Sequence, residues 1–223
     1  MLLNIMKIRS NTATFNRNKL RNHWTIILAF LTVCLQTEAY ADSNPESSTA
    51  SPKYTRSEAV YSLPNIEMLR HDQVKTRFPQ ELDDGRPVIL NFIFTTCSAI
   101  CPMLSGVLSG VQNKLGDEIQ GMHLVSISID PEYDNAERLK EYAAKFKAKP
   151  QWQFYSGSVD NVKTLQKAFN AYRGDKMNHS ATTYLRASPG KPWVRLDGFL
   201  SSDDIIAEYH RLKSSHSSNT GGG

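Results

Sequence analysis

Cys97 and Cys101 are the residues of this chain whose type and spacing best suit chemistry. Two thiols set so close can close into a disulfide or take a metal ion as a pair of thiolates. A helical turn would bring their Cα atoms to about 6 Å, which suits a disulfide and lets both sulfurs face one way. The loop such a bridge closes is short, and the stabilisation from chain entropy grows with loop length. The pair therefore points to reversible chemistry rather than stapling. The plain structural alternative is two small buried hydrophobes, since free cysteine is commonly buried.

The surrounding pattern places the pair at an edge where sites form. Val88-Ile-Leu-Asn-Phe-Ile-Phe94 is a nearly continuous apolar run, as in a strand buried on both faces. Beyond the cysteines, Leu104, Val107, Leu108, Val111 and Leu115 recur at helical spacing, with Gly116 as a stop. Pro102 suits the first helical position and disfavours a helical residue before it, so Cys101 is expected at or near the N-cap. There the positive end of the helix favours thiolate over thiol. Downstream, Met122 to Ile129 reads as a second buried strand, Ala136 to Phe146 as a helix, Trp152 to Tyr155 as a short strand and Val159 to Phe169 as a helix. Thr182 to Arg186 and Val194 to Asp197 flank Ser188-Pro-Gly-Lys-Pro192, which reads as a hairpin, and a last helix runs from about Ser202 to Leu212. Strand–helix alternation followed by a hairpin predicts an α/β fold, a mixed sheet flanked by helices with a hairpin near residues 182–197.

Composition bounds the rest. A chain of 223 residues can build one domain with its own core, so metal or disulfide is not needed simply to fold it. Residues 1–41 hold five of the 26 basic residues and one of the 22 acidic ones, leaving 21 of each sign in the remainder. A balanced remainder, with no basic stripe interleaved by aromatics, sets nucleic-acid binding aside. The basic start runs into the apolar segment Trp24–Leu35 and then Ala39-Tyr40-Ala41, the pattern of a signal peptide cut before Asp42. A 12-residue segment falls short of the roughly 20 that span a bilayer, so an anchor is the weaker reading. Cys34 would leave with this leader, and two cysteines would remain in an oxidising compartment, read as the periplasm. Residues 42–57 read as a flexible linker, 58–213 as the domain and 214–223 as a disordered tail.

Of the six histidines, His23 falls in the leader, His71, His210 and His216 read as surface residues, and His123 opens a strand. Only His179 lies in a loop leading directly into a strand of the same sheet, although a loop histidine is more often solvated than a ligand. Three ordered motifs add to this. Phe92-Ile-Phe-Thr-Thr-Cys97-Ser-Ala-Ile-Cys101-Pro102, Ser126-Ile-Ser-Ile-Asp130-Pro131-Glu-Tyr-Asp134 and Asn178-His179-Ser-Ala-Thr-Thr-Tyr-Leu185 resemble the SCO/SenC copper chaperones of cytochrome c oxidase assembly, over most of residues 58–213. The resemblance implies a thioredoxin-like fold with Cys97, Cys101 and His179 as ligands of copper. It also implies delivery to the binuclear copper site of cytochrome c oxidase subunit II or a similar acceptor, with another periplasmic copper chaperone or a thioredoxin-like reductant as further partners. Two thiolates and an imidazole suit Cu(I), whereas zinc would want a fourth ligand. Where many family members carry an acidic residue between the cysteines this chain has Ser98, Ala99 and Ile100, and Asn178 replaces a common Asp. The competing class is a thiol–disulfide reductase using Cys97 and Cys101 as a redox pair without His179. Asp130 and Asp134 are expected either to orient the loop or a partner, or to cap the following helix.

Overall fold

The computed structural model describes residues 54–219, with side chains through residue 214, all within the compact unit Ala50–Gly223. The expected leader (1–41), most of the linker and the last residues of the tail lie outside the described residues. Eight strands form one sheet: β1 (Tyr54–Ala59), β2 (Ile66–Arg70), β3 (Lys75–Phe78), β4 (Val88–Ile93), β5 (His123–Ser128), β6 (Trp152–Ser156), β7 (Thr182–Arg186) and β8 (Trp193–Gly198). Their order across the sheet is β1-β8-β7-β4-β5-β6-β2-β3. Strands β4, β5 and β6 run parallel, and every other pairing is antiparallel. The α-helices among the described residues are α1 (Ile100–Lys114), α2 (Ala136–Lys145), α3 (Val159–Ala168) and α4 (Ser202–Asn219).

Strand alternation divides the core in two. Ile89 and Ile93 of β4 face one side, with Leu124, Trp152 and Leu185, and α1, α2 and α4 cover them with Leu108, Leu139 and Ile205. Val88, Leu90 and Phe92 face the other side, where α3 packs Val162 and Leu165 over Val125, Ile127 and Tyr184. Because β1 lies near one edge of the sheet and β2 near the other, residues 60–65 must cross the second face. Tyr61 fastens that crossing, its ring 5.1 Å from Phe169 and 5.8 Å from Tyr184. The helices start on their own polar side chains. Asn135 takes the Arg138 N–H at the head of α2, and Ser158 the Asn161 N–H at the head of α3.

Four expectations are corrected. The sheet already includes Tyr54, ahead of the start expected near Glu58, because residues 54–59 pair with β8 while most of their side chains stay exposed. The polar stretch around His71 contains the β2–β3 hairpin, and His71 is half-buried: its Nδ1 accepts from the Phe154 N–H at 3.3 Å. At the other end, α4 continues to Asn219, into the segment read as a tail. Finally, Ala99 is the N-cap of α1, so Pro102 is the third helical residue rather than the first, while Cys101 lies near the cap as expected. Proline is tolerated there because first-turn N–H groups have no partner within the helix.

Candidate metal centre

The two cysteines lie where β4 ends. Cys97 closes a turn by donating its N–H to Phe94 O at 3.2 Å, and α1 starts three residues later. Cys101, in the first turn of α1, is fully buried, and its Sγ accepts from the Phe94 N–H at 3.4 Å. The Cys101 N–H in turn points at Cys97 Sγ, also at 3.4 Å. Both thiols are free. Antiparallel pairing of β7 with β4 sets Thr183 opposite Asn91, so the loop ahead of β7 arrives at this same edge. It brings His179 Nε2 to 3.5 Å from Cys101 Sγ. His179 is buried, with the Phe94 ring edge-on at 5.5 Å.

The two thiols differ in electrostatics. Burial would raise the Cys97 thiol, but the N–H groups of Cys101, Ala99 and Ile100 converge on it and hold it below the ordinary value. This is the helix-start effect expected from the sequence, applied to the cysteine outside the helix. Cys101 is pushed far up, first by burial and also by the neighbouring Cys97. Burial holds His179 below the ordinary histidine value, against the pull of the Lys176 carbonyl, so its imidazole is neutral at pH 7 and its nitrogen lone pair is available.

A hydrogen-bonded path ties the cysteine loop to the histidine loop. Asp134, fully buried, accepts from Thr95 N at 3.0 Å, from Thr95 Oγ1, and from Ser128 Oγ at 2.6 Å. Ser128 Oγ receives the Asp130 N–H at 3.0 Å, and Asp130 Oδ2 receives Lys176 Nζ at 2.6 Å. Lys176 opens the short 3-10 turn Lys176–Asn178 that delivers His179, and its ammonium also lies 5.6 Å from the Phe94 ring centre. Of the two roles weighed for Asp130 and Asp134, orientation of the loops is therefore the one observed, and Asn135 does the capping. Thr95, Ser128 and Lys176 escaped sequence reasoning. The acidic segment Asp130–Asp134 was their only signal, because a carboxylate just ahead of a helix reads equally well as a cap.

The three expected ligands thus share one edge: Cys101 touches both His179 and the Cys97 side chain. Among the described residues no group of three or more His, Cys, Asp or Glu side chains is already gathered as a coordination shell. His123 is far from this edge, its Nε2 donating to Asp84 Oδ2 at 2.7 Å where β5 begins. Two thiols and an imidazole form a soft donor set that fits Cu(I). Compared with known protein families, residues 70–214 match the SCO1/SenC family. This chain belongs to the SCO1/SenC family. It is 29% identical over 134 residues to the SCO1 protein homolog of Bacillus subtilis (strain 168), covering 56% of this chain and 69% of that protein. The SCO1/SenC architecture also appears in solved structures. BsSco, described as a member of the Sco family of cytochrome c oxidase assembly proteins with a disulfide switch, matches at 26% identity and a TM-score of 0.59, covering 70% of this chain and 95% of that one. Yeast Sco1 with copper bound shares the fold at 23% identity and a TM-score of 0.58, over 69% of this chain and 94% of that one. The thioredoxin-like mixed sheet expected from the motifs is the fold observed.

Proposed function

We propose that this SCO1/SenC protein is exported, carries Cu(I) as cargo on Cys97, Cys101 and His179, and delivers it to the binuclear copper site of cytochrome c oxidase subunit II. The observation that carries this reading is the 3.5 Å approach of His179 Nε2 to Cys101 Sγ, with Cys97 Sγ 3.4 Å from the Cys101 N–H nitrogen. Copper in yeast Sco1 and the assembly role stated for BsSco support it. A low-coordinate ion held by one loop and one helix start can pass to an acceptor by stepwise ligand exchange. The test is an anaerobic Cu(I) titration of the full chain followed by X-ray absorption. One copper per chain with two sulfurs and one nitrogen is expected, and the His179→Ala variant should bind at least tenfold more weakly. Unchanged affinity in that variant would remove the main support for delivery.

The unequal thiols favour a second reading, reduction of a client disulfide. The Cys97 thiolate would attack one client sulfur to form a mixed disulfide and release the other as thiolate. Cys101 would then lose its proton and attack Cys97, forming the Cys97–Cys101 disulfide and leaving the client with two reduced thiols. This exchange needs no imidazole, so activity that survives His179→Ala separates it from delivery.

A further inference from the structure

Large hydrophobic side chains left in solvent are unevenly spread over this fold. Among the described residues, Met103, Tyr133, Val159, Met177 and Phe199 stand at the edge where β4, β5 and β6 end, and only Val60 and Val74 stand at the other. Each of the five belongs to a different connection: the first turn of α1, the β5–α2 loop, the head of α3, the turn before β7 and the residue after β8. Met68 and Met122 are fully buried, whereas Met103 and Met177, 48% and 70% exposed, each lie two positions from a proposed ligand. Core packing explains none of this exposure, and apolar side chains gathered around a site mark contact with another surface. Methionine suits such a contact because its flexible thioether adapts to varied partners.

The histidine side of the same edge is basic. A groove of about 180 Å³ runs beside His179, lined by Pro131, Val159, Val162, Lys163, Tyr172 and Arg173 among others. The Lys163 and Lys167 ammoniums hang 5.3 and 5.6 Å from the Tyr172 ring centre. Arg173 donates to the carbonyls of Asn170 and Tyr172. Of the carboxylates near it, Asp175 accepts the Met177 N–H and Asp130 is held by Lys176, while Asp160, in the first turn of α3, and Glu132 are exposed outside the groove lining. Within the groove lining itself Lys163, Arg173 and Lys176 stand against Asp175 alone, a local positive excess in a domain otherwise balanced in charge.

We propose that this edge is a docking face for a folded protein whose acidic side chains meet Lys163, Lys167 and Arg173 while its apolar side chains cover Met103 and Met177. The proposal rests on the reading of the cysteine–histidine edge as the place of exchange, and adds the class of surface that edge accepts. Opposite charges at the rim would speed encounter and make it salt-sensitive, while the apolar contacts would lengthen the complex's life.

The test uses the full chain loaded with Cu(I) and the copper-free soluble domain of cytochrome c oxidase subunit II as probe, with transfer rates measured at low and high salt. The wild-type rate should fall about tenfold with added salt, and the double variant Lys163→Glu, Lys167→Glu should be about tenfold slower at low salt while binding copper normally. Both lysines are exposed, so the variant should fold. Reversing Lys75 and Lys191 at the far edge is the control and should leave the rate within twofold, whereas Met177→Ser should raise the probe concentration that gives half the maximal rate. Transfer indifferent to salt and to the charge reversal overturns the docking face and leaves delivery standing. If no copper moves but the copper-free chain reduces the probe's disulfide with the same salt and variant dependence, delivery falls and the docking face stands. A probe that reacts in neither way overturns both.

Discussion

Asp134 is the residue on which the order of the cysteine loop depends most. Its carboxylate satisfies three donors from Thr95 and Ser128 in a fully buried position. Removing it leaves those donors unpaired away from water, which costs more than the hydrogen bonds themselves contribute. Asp134→Ala should destabilise the protein by roughly 2–4 kcal/mol in chemical denaturation. A loss below about 0.5 kcal/mol would mean that water readily replaces the carboxylate. The cysteine pair was legible in the sequence because its residue type is rare in this chain and it follows a strong strand signal. The part played by Asp134 was not, since its partners come from two separate strand ends and only the folded sheet brings Thr95 and Ser128 together.

Elements position the site through two joints. One is the Lys176–Asp130 ion pair, which pins the turn carrying His179 to the loop after β5. Lys176 is largely solvated, so Lys176→Met should leave the melting temperature almost unchanged, because exposed pairs contribute little to global stability. Loss of Cu(I) to a competing chelator should nevertheless become severalfold faster, as the His179 turn loses its tether. An unchanged release rate would deny the pair any role in holding that turn. The second joint is the crossing of α1 and α4. A Cβ on Gly110 would collide with the Ser202 side chain, whose hydroxyl donates to Val107 O at 2.9 Å. Gly110→Ala should therefore cost about 1–3 kcal/mol through overpacking, despite alanine's better helix propensity. A stability equal to or above wild type would show that the crossing gives way without strain. Helices such as α2 and α3 could be read from apolar spacing and capping residues. Strands β1 and β3 could not: β1 exposes Thr55 to Glu58 in a row and pairs with β8, distant in sequence, while β3 is a short edge strand with polar Lys75 and Arg77 exposed.

At the scale of the molecule, the sheet separates a chemical edge from a structural one, and burial links both to pH. His179 at the first edge and His71, beside β6 at the end of β2, are both held below the ordinary histidine value by burial. The unfolded chain, with histidines near pKa 6.5, then binds more protons than the folded one as pH falls through that value. Between about pH 7 and 8 the copper-free, reduced protein should therefore hold steady stability, and lose it progressively from about pH 6.5 downward. Asp72 and Asp197 act in a later window. Hydrogen bonding to Arg70 dominates at Asp72, while at Asp197 burial opposes the lowering that Arg195 and Thr182 produce. Both carboxyls are net lowered, so their contribution is present above the unfolded carboxylate range and fades only below about pH 4. Denaturation midpoints at several pH values between 8 and 3 should accordingly show two descending steps. His71→Asn keeps an acceptor for the Phe154 N–H without a titrating ring, and should shrink the upper step while leaving the lower one in place. A midpoint that is flat from pH 8 to 5 would mean that neither histidine is protonated preferentially on unfolding, and would remove burial as the cause of their shifts.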